Sequence, residues 1–165
     1  MVLGADPGRP PRNETIVEVS REDLARTRTA GAIERGLDGV DVGDQLVSRD
    51  ALVGAVVNER CLAVRLDNAE VAARCQLYSQ GAVAQIENVY TAPAHRRRGF
   101  SRALVTRAAH EASAAGAELV FLVADAADWP AAFYRSAGFV HAGALPRFLR
   151  TADGAFPILT RPASR

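Results

Sequence analysis

The sequence predicts an α/β domain (α+β in some schemes) built on a mixed sheet. Three observations predict this class. Strand-like and helix-like segments follow one another in the order βααβββαβαββ. A helix-periodic segment, residues 100–115, is followed by a continuous apolar run, residues 118–124, as in a strand buried on both faces. An arginine-rich loop with one glycine joins the preceding strand to that helix.

The first third of the chain predicts a tail, a strand and two helices. A length of 165 residues favours one domain. Residues 1–13 are rich in Pro, Gly and Arg, so we expect a disordered tail before a single domain over 14–165. Ser20 with Asp23 three positions later is typical of a helix N-terminus. The predicted elements are a strand over 15–19, a helix from 20 to about 35, a loop over 36–43, and a helix over 51–58 capped by Ser48 or Asp50.

The middle of the chain predicts three strands, 61–66, 70–78 and 82–91, joined by turns at 67–68 and 79–81. Alternation in the second of these strands puts four apolar side chains on one face: Val71, Ala73, Cys75 and Leu77.

The last third predicts two helices and three strands. Gly116 ends the helix over 100–115 as a C-terminal cap does. Asp128 before Trp129 and Pro130 begins a second helix, which Gly138 ends. The predicted strands are 118–124, 139–150 and 155–161.

Composition argues against several classes of protein. The net charge of +1 is not that of a nucleic-acid-binding protein. No apolar run is long enough to span a bilayer, and the start lacks the pattern of a signal peptide, so we expect a cytoplasmic protein without membrane contact. Cys61 and Cys75 lie in apolar strands and are expected to be buried thiols rather than a disulfide. No Cys/His cluster has metal-site spacing, so no metal is expected.

The loop over 92–99 indicates an anion site. The first N–H groups of a helix have no intrahelical partner, and the helix dipole favours negative charge there. Arg96, Arg97 and Arg98 add guanidinium groups that pair with phosphate. The chemistry predicted is capture of a phosphorylated cofactor.

Two sequence blocks carry a family resemblance. Arg96–Ser101 follows the pattern Arg/Gln-x-x-Gly-x-Gly/Ala, with serine at the last position. Ala132–Phe139 is similar to Leu-Tyr-x-x-x-Gly-Phe. With this order of elements, the chain over 60–161 resembles the GNAT superfamily of acetyl-CoA-dependent N-acetyltransferases. The resemblance implies the GNAT fold, in which helices flank a central mixed, mostly antiparallel seven-stranded sheet.

The resemblance also implies roles for particular residues. The end of the fourth predicted strand would bond the pantetheine arm of acetyl-CoA (coenzyme A) through its backbone. The following loop would surround the pyrophosphate with main-chain N–H groups. Tyr134 matches the tyrosine that protonates the leaving thiolate. The asparagine that often precedes the tyrosine-bearing helix is missing from 125–128. The implied cofactor-binding residues are Val89, Tyr90, Thr91, Arg97, Arg98, Gly99, Phe100, Ser101 and Arg102.

Glu87 is the candidate general base. Strand alternation puts it on the face of Gln85, Val89 and Thr91, which lines the acceptor cleft in this fold. The alternative is a solvated or hydrogen-bonding strand carboxylate, and His141 is a second candidate base. A backbone N–H near Val89 would polarise the thioester carbonyl.

The expected function is direct transfer of an acetyl group from acetyl-CoA to a primary amine. The acceptor is a small molecule or a peptide that the sequence does not identify. Two alternatives stay open: a non-catalytic acetyl-CoA-binding sensor or scaffold of the same fold, and a longer acyl donor. Homodimer formation is also left open.

Overall fold

The computed structural model describes residues 1–4, 16–34, 42–124 and 130–145. The strands of these residues are β1 Val2–Leu3, β2 Ile16–Val19, β3 Asn58–Arg65, β4 Val71–Gln80, β5 Val83–Thr91, β6 Leu119–Phe121 and β7 Phe139–Val140. They form one sheet in the order β2-β3-β4-β5-β6-β1-β7. The β5–β6 pair is parallel and every other neighbouring pair is antiparallel, so the sheet is mixed and mostly antiparallel, as predicted. The helices are α1 Arg21–Glu34, α2 Val42–Gly54, α3 Phe100–Ala114 and α4 Pro130–Ser136.

The apolar core lies between the sheet and α3. One face of β4 contributes Ala73, Cys75 and Leu77 to this core, as the alternation of that strand predicts. Val71 was expected on the same face but packs with the cluster of Leu24, Cys61 and Ala63 on the opposite side. The β3–β4 register shifts between Ala73 and Val71, which moves the alternation by one residue. Alanines on α3 that are fully buried bring the helix backbone close to the sheet. They are Ala103, Ala108 and Ala109.

The opposite face of β4 is buried and polar. Arg74 and Gln76 are only 1% and 2% exposed. They lie under α1 and α2, where the Arg28 guanidinium donates to both carboxylate oxygens of Asp50 at 2.8 and 3.2 Å. Buried charges of this kind persist only when they are paired and hydrogen-bonded. The sheet therefore has an apolar face toward α3. Its other face, toward α1 and α2, is called the polar face here because it holds these buried polar groups beside a small apolar cluster of Leu24, Cys61 and Ala63.

A bulge interrupts β5 beside β4. Gln76 pairs with Glu87 and Arg74 pairs with Tyr90, so one residue of β4, Cys75, lies opposite two residues of β5, Asn88 and Val89. The extra residue is at Asn88, which has a φ of +54°. A bulge of this kind shifts the side-chain alternation of the strand by one position.

Sequence predictions at the two ends of the chain were partly wrong. The expected tail over 1–13 is contradicted at its start: β1 pairs with β6 and β7, and Leu122 N–H donates to the Met1 carbonyl at 2.9 Å. The apolar side chains of Met1 and Leu3 pack on the main core, which explains why these residues join the sheet. Residues 5–13 lie outside the described residues. At the other end, β7 stops at Val140, residues 141–145 are not a strand, and 146–161 lie outside the described residues.

The second helix was predicted too short. α2 begins at Val42, inside the expected loop over 36–43, and ends at Gly54 rather than 58. Ser48 and Asp50 both lie within α2, several residues after its start, so neither is its N-terminal cap. Asp50 is buried and pairs with Arg28. The other predicted helices agree with α1, α3 and α4, and the turns at 67–68 and Gly81 are present. Asp128 and Trp129, the predicted start of the last helix, lie outside the described residues.

Both cysteines are free and buried, as expected. Cys61 pairs with Gln76 and Cys75 pairs with Leu62 across the same two strands, so the thiols face opposite sides of the sheet. Burial raises the pKa of each thiol to about 12, which keeps both protonated at neutral pH.

Candidate active site

The end of β5 is fastened to the start of α3. The hydroxyl oxygens of Thr91 and Ser101 are 2.7 Å apart, within hydrogen-bonding distance. Between them, Arg97 has a φ of +61° and Gly99 a φ of +86°. The first turn of α3 closes when Ala103 N–H donates to the Gly99 carbonyl at 3.0 Å. The N–H groups before Ala103 therefore point out of the helix end and form a concave set of donors suited to an anion.

The arginines of this loop do not all face the anion site. Arg96 is paired with Glu34 at the end of α1, and its Nε donates to the Thr91 carbonyl at 3.1 Å. Arg102 donates to the Ser136 carbonyl at 2.8 Å and to the Ser136 hydroxyl at 2.7 Å. These two arginines hold the loop against α1 and α4.

Arg98 is held more loosely. Its guanidinium lies 4.7 Å from the centroid of the Phe100 ring, and its Nη1 is 3.3 Å from the His95 ring. Arg97 and Arg98 are both exposed. The main-chain donors and these two guanidinium groups are the part of the loop that fits a pyrophosphate.

A gap opens between β5 and β6 on the way to this loop. The parallel pairing covers only Val83 to Gln85 of β5, opposite residues 119–121 of β6. The rest of β5 pairs with β4 on its other edge, up to Thr91. Among the described residues, the edge of Val89 and Tyr90 toward β6 thus carries no strand partner. An extended amide-containing chain such as pantetheine fits such an edge.

Tyr90 is packed against α1. A Cβ at Gly31 would lie 3.1 Å from the Tyr90 ring, so glycine allows the close approach of the helix. The Arg74 guanidinium lies 5.4 Å from the centroid of the same ring. Burial, with the Glu34 carboxylate as the next cause, raises the Tyr90 pKa. The side chain of Tyr90 is therefore a packing element between α1 and β5, and only its backbone faces the gap.

Tyr134 projects from α4 onto the main core. Its ring makes edge contacts with Phe133 and Phe139 at centroid distances of 5.0 and 6.3 Å. Burial raises the pKa of Tyr134 to about 12, with smaller contributions from Cys75 and Glu87. The phenol is thus protonated at neutral pH, as a proton donor must be.

Because of the bulge, the surroundings of Glu87 differ from those that regular strand alternation predicts. Glu87 shares a face with Gln85, as predicted, and the Gln85 amide donates to its carboxylate. It does not share a face with Val89 or Thr91: Val89 packs on the core beside α3, and Thr91 contacts Ser101 of that helix. Glu87 lies instead on the polar face of the sheet, opposite Gln76. The shift arises because Asn88 inserts one extra residue into the strand.

Sequence reasoning missed three residues beside the candidate site. They are Asn88, Gln76 and Arg74: at the bulge the Asn88 amide donates to Gln76, and Arg74 donates to the Asn88 carbonyl. A buried arginine and glutamine within an otherwise apolar strand were the signal available in the sequence. The segment 125–128, where the asparagine is missing, lies outside the described residues.

None of the described helices is long and apolar enough to cross a bilayer.

Comparisons with known proteins agree with this geometry. An assigned acetyltransferase from Agrobacterium tumefaciens is 26% identical, with a TM-score of 0.64 over 81% of this chain and 99% of that one. Glucosamine-6-phosphate N-acetyltransferase from Arabidopsis thaliana is 12% identical, with a TM-score of 0.63 over 82% and 97%. An assigned acetyltransferase from Clostridium acetobutylicum, solved with acetyl-CoA, is 18% identical, with a TM-score of 0.62 over 82% and 95%. The last two likenesses concern the fold alone.

No curated protein sequence matches this chain significantly. The sequence profile of the acetyltransferase (GNAT) domain matches residues 57–141, which is more than half of the chain and includes β5, the glycine loop and Tyr134. The chain therefore belongs to the GNAT superfamily of acetyltransferases.

Proposed function

We propose that this acetyltransferase moves the acetyl group of acetyl-CoA directly to a primary amine. The observation that carries the proposal is the gap between β5 and β6 beyond Gln85, which leads to the glycine-capped N-terminus of α3. The three features suit different parts of acetyl-CoA. The free strand edge suits the amide arm, the anion cradle suits the pyrophosphate at one end of that arm, and the buried phenol on α4 suits the thioester sulfur at its other end.

Binding of acetyl-CoA relies on the backbone. The main-chain N–H groups from Arg97 to Arg102 hold the pyrophosphate, and the side chains of Arg97 and Arg98 add charge-assisted hydrogen bonds. The free edge at Val89 and Tyr90 pairs with the pantetheine amides. The Thr91 carbonyl accepts from Arg96, so Thr91 supports the loop in addition to its expected backbone contact. Bound acetyl-CoA supplies the acetyl group as an activated thioester.

The residues of the chain supply three functions for the transfer. Glu87, directly or through a water molecule, accepts a proton from the incoming ammonium group, which frees the nitrogen lone pair. The Val89 N–H donates a hydrogen bond to the thioester carbonyl oxygen. After the carbon–nitrogen bond forms, the carbon–sulfur bond breaks and Tyr134 gives its proton to the sulfur. The second proton that the nitrogen loses as the amide forms restores the phenol. The acidic side chain of Glu87 on a polar sheet face favours a cationic acceptor, a small molecule or a peptide.

The experiment is a panel of amines incubated with acetyl-CoA, with thiol release as the measurement and thermal shift as the binding assay. Thiol release with at least one amine supports the proposal. A thermal shift without turnover on any amine would favour the alternative, a non-catalytic acetyl-CoA-binding domain. The absence of any thermal shift at millimolar acetyl-CoA would contradict both. Longer acyl-CoA donors in the same assay test the choice of acyl group.

A further inference from the structure

Asn88 adopts a backbone conformation that needs support. Its φ of +54° lies in the left-handed region, inside a strand whose neighbours are extended. Asparagine tolerates this region better than most residues, but only glycine adopts it freely. Such outliers persist where surrounding contacts enforce them, and they cluster at functional sites.

Two buried side chains of β4 enforce it. The Asn88 side-chain amide donates to Oε1 of Gln76, and the Arg74 guanidinium donates to the Asn88 carbonyl at 2.8 Å. Both side chains are almost completely inaccessible to solvent. The side chain and the carbonyl of residue 88 are thus each fixed by a separate partner.

These partners are themselves tied to α1. Nε2 of Gln76 donates to the Glu59 carboxylate at 2.6 Å, and the same carboxylate accepts from Nε of Arg21, on α1, at 3.0 Å. Nη2 of Arg74 donates to the Thr27 carbonyl of α1 at 3.4 Å. The bulge is therefore held by a continuous hydrogen-bond network that ends on the helix covering the polar face of the sheet.

The direction of one N–H follows from this network. The Asn88 carbonyl points toward the Arg74 guanidinium, which lies between β5 and α1 on the polar face of the sheet. In a trans peptide the N–H of the next residue points the opposite way, so the Val89 N–H is directed away from that guanidinium. Val89 lies beyond Gln85, in the part of β5 that has no β6 partner among the described residues.

We propose that Gln76 is a positioning residue that, by holding Asn88 in the left-handed conformation, aims the Val89 N–H at the thioester carbonyl. The inference rests on the proposed function, because Val89 matters only if acetyl transfer occurs there. Gln76 itself is buried, and its side-chain amide is bonded to Glu59 and Asn88. Its effect is exerted through Asn88.

The test is Gln76→Met, which keeps the length and flexibility of the side chain and removes both hydrogen bonds. We expect kcat to fall roughly 10-fold to 100-fold, approaching the cost of losing an oxyanion donor, while the KM for acetyl-CoA stays within about twofold. Ile86→Val is the matched control: it perturbs β5, the strand of Asn88, from the apolar face and should leave kcat unchanged. An unchanged kcat in Gln76→Met, or an equal loss in Ile86→Val, would overturn the proposal.

Position 88 provides a second test that does not depend on how well Gln76→Met folds. Asn88→Gly adopts a positive φ without a side-chain bond, whereas Asn88→Ala does not adopt it readily. We therefore expect kcat to be at least about 10-fold higher in Asn88→Gly than in Asn88→Ala, and Gln76→Met to cost much less in the Asn88→Gly background. Equal rates in the two variants, or full additivity with Gln76→Met, would overturn the inference.

A crystal structure of Gln76→Met separates failure of this inference from failure of the proposed function. The inference requires Asn88 to leave the positive-φ region in that variant, whether or not the protein transfers acetyl groups. A retained bulge would overturn it. A protein that neither binds acetyl-CoA nor releases thiol, but whose bulge relaxes in the variant, would overturn the proposed function and keep the role of Gln76 in holding Asn88.

Discussion

Glu87 and Tyr90 lie on the same face of β5, although residues three positions apart in a regular strand face opposite sides. The extra residue at Asn88 causes this by shifting the alternation. As a result, side chains close together in this short segment face different environments. The carboxylate of Glu87 faces the polar side of the sheet, and the Val89 side chain packs in the apolar core.

Glu87→Gln tests whether Glu87 is the general base, because the substitution preserves the size of the side chain and removes its basicity. If Glu87 is the base, we expect kcat/KM to fall at neutral pH, with the deficit shrinking as pH rises. An alkyl ammonium loses its proton unaided only near its own high pKa, so free amine becomes available at alkaline pH. The measurement is the pH dependence of kcat/KM with one amine acceptor.

The matched control is Glu118→Gln, which makes the same replacement of a carboxylate by an amide at an exposed residue just before β6. It should leave the pH profile of kcat/KM unchanged. A Glu87→Gln profile parallel to that of the wild type would reject Glu87 as base. The remaining candidates would be bulk water and His141, which is exposed just after β7.

Tyr134→Phe keeps the ring and its contacts with Phe133 and Phe139 but removes the acidic proton. If the phenol protonates the leaving thiolate, kcat should fall about 10²-fold or more, with acetyl-CoA affinity little changed. Steady-state kinetics with varied acetyl-CoA separate the two parameters. Tyr78→Phe is the control, since the buried Tyr78 hydroxyl has no hydrogen-bond partner among the described residues. Equal kcat in wild type and Tyr134→Phe would leave Tyr134 a packing residue.

Gly99→Val tests the anion cradle at the start of α3. A β-branched residue at a φ of +86° is strained, so the loop should rearrange. In the wild type, acetyl-CoA at about 100 times its Kd should stabilise the fold by about 2.7 kcal/mol, a rise in Tm of roughly 5–10 °C. We expect Gly99→Val to lose most of this rise, measured by thermal shift.

Gly116→Val is the control for that experiment, because Gly116 has a nearly equal φ of +91° at the opposite end of α3. It should lower the Tm of the free protein and leave the rise with acetyl-CoA intact. If Gly99→Val kept the full rise, the pyrophosphate would have to bind elsewhere.

Local patterns predicted most of the fold, and long-range contacts explain what they missed. Alternation within 70–78 predicted the apolar face of β4, because that periodicity is local to the strand. The bulge in β5 depends on Arg74 and Gln76 of the neighbouring strand, so no pattern within 82–91 reveals it. The pairing of Val2 with residues 121 and 140 is similarly remote in sequence. The glycine loop and Tyr134 were found because they belong to sequence blocks with recognisable spacing.

The buried ion pair between α1 and α2 predicts a large effect on stability. Arg28 is 5% exposed and Asp50 is 3% exposed. Asp50→Asn would leave the Arg28 charge buried without its carboxylate, at a cost of about 3–5 kcal/mol in the free energy of unfolding. Urea denaturation measures this cost. The exposed pair of Glu18 and Arg60 offers a control, since Glu18→Gln should cost at most about 1 kcal/mol.

The three tyrosines predict a delayed alkaline titration. Burial is the largest cause of a raised pKa for Tyr78, Tyr90 and Tyr134 alike. An unfolded tyrosine ionises with a pKa of about 10. The tyrosinate absorbance of the native protein should therefore be well below half of its final value at pH 10, whereas the protein in denaturant should be near half. Equal titration curves for the two states would contradict the burial of these phenols.

The raised pKa values of the three tyrosines determine whether stability rises or falls with pH. Between pH 10 and 12 the native state keeps phenolic protons that the unfolded chain has already released, so the native state binds more protons. The free energy of unfolding must then fall as pH rises through this window. The stabilisation is fully present below the unfolded pKa of about 10, and the part due to Tyr134 is lost as pH passes its native pKa of about 12. Urea midpoints measured from pH 8 upward check this slope. Tyr134→Phe should make the slope shallower, and an unchanged slope in that variant would show that Tyr134 titrates normally in the folded protein.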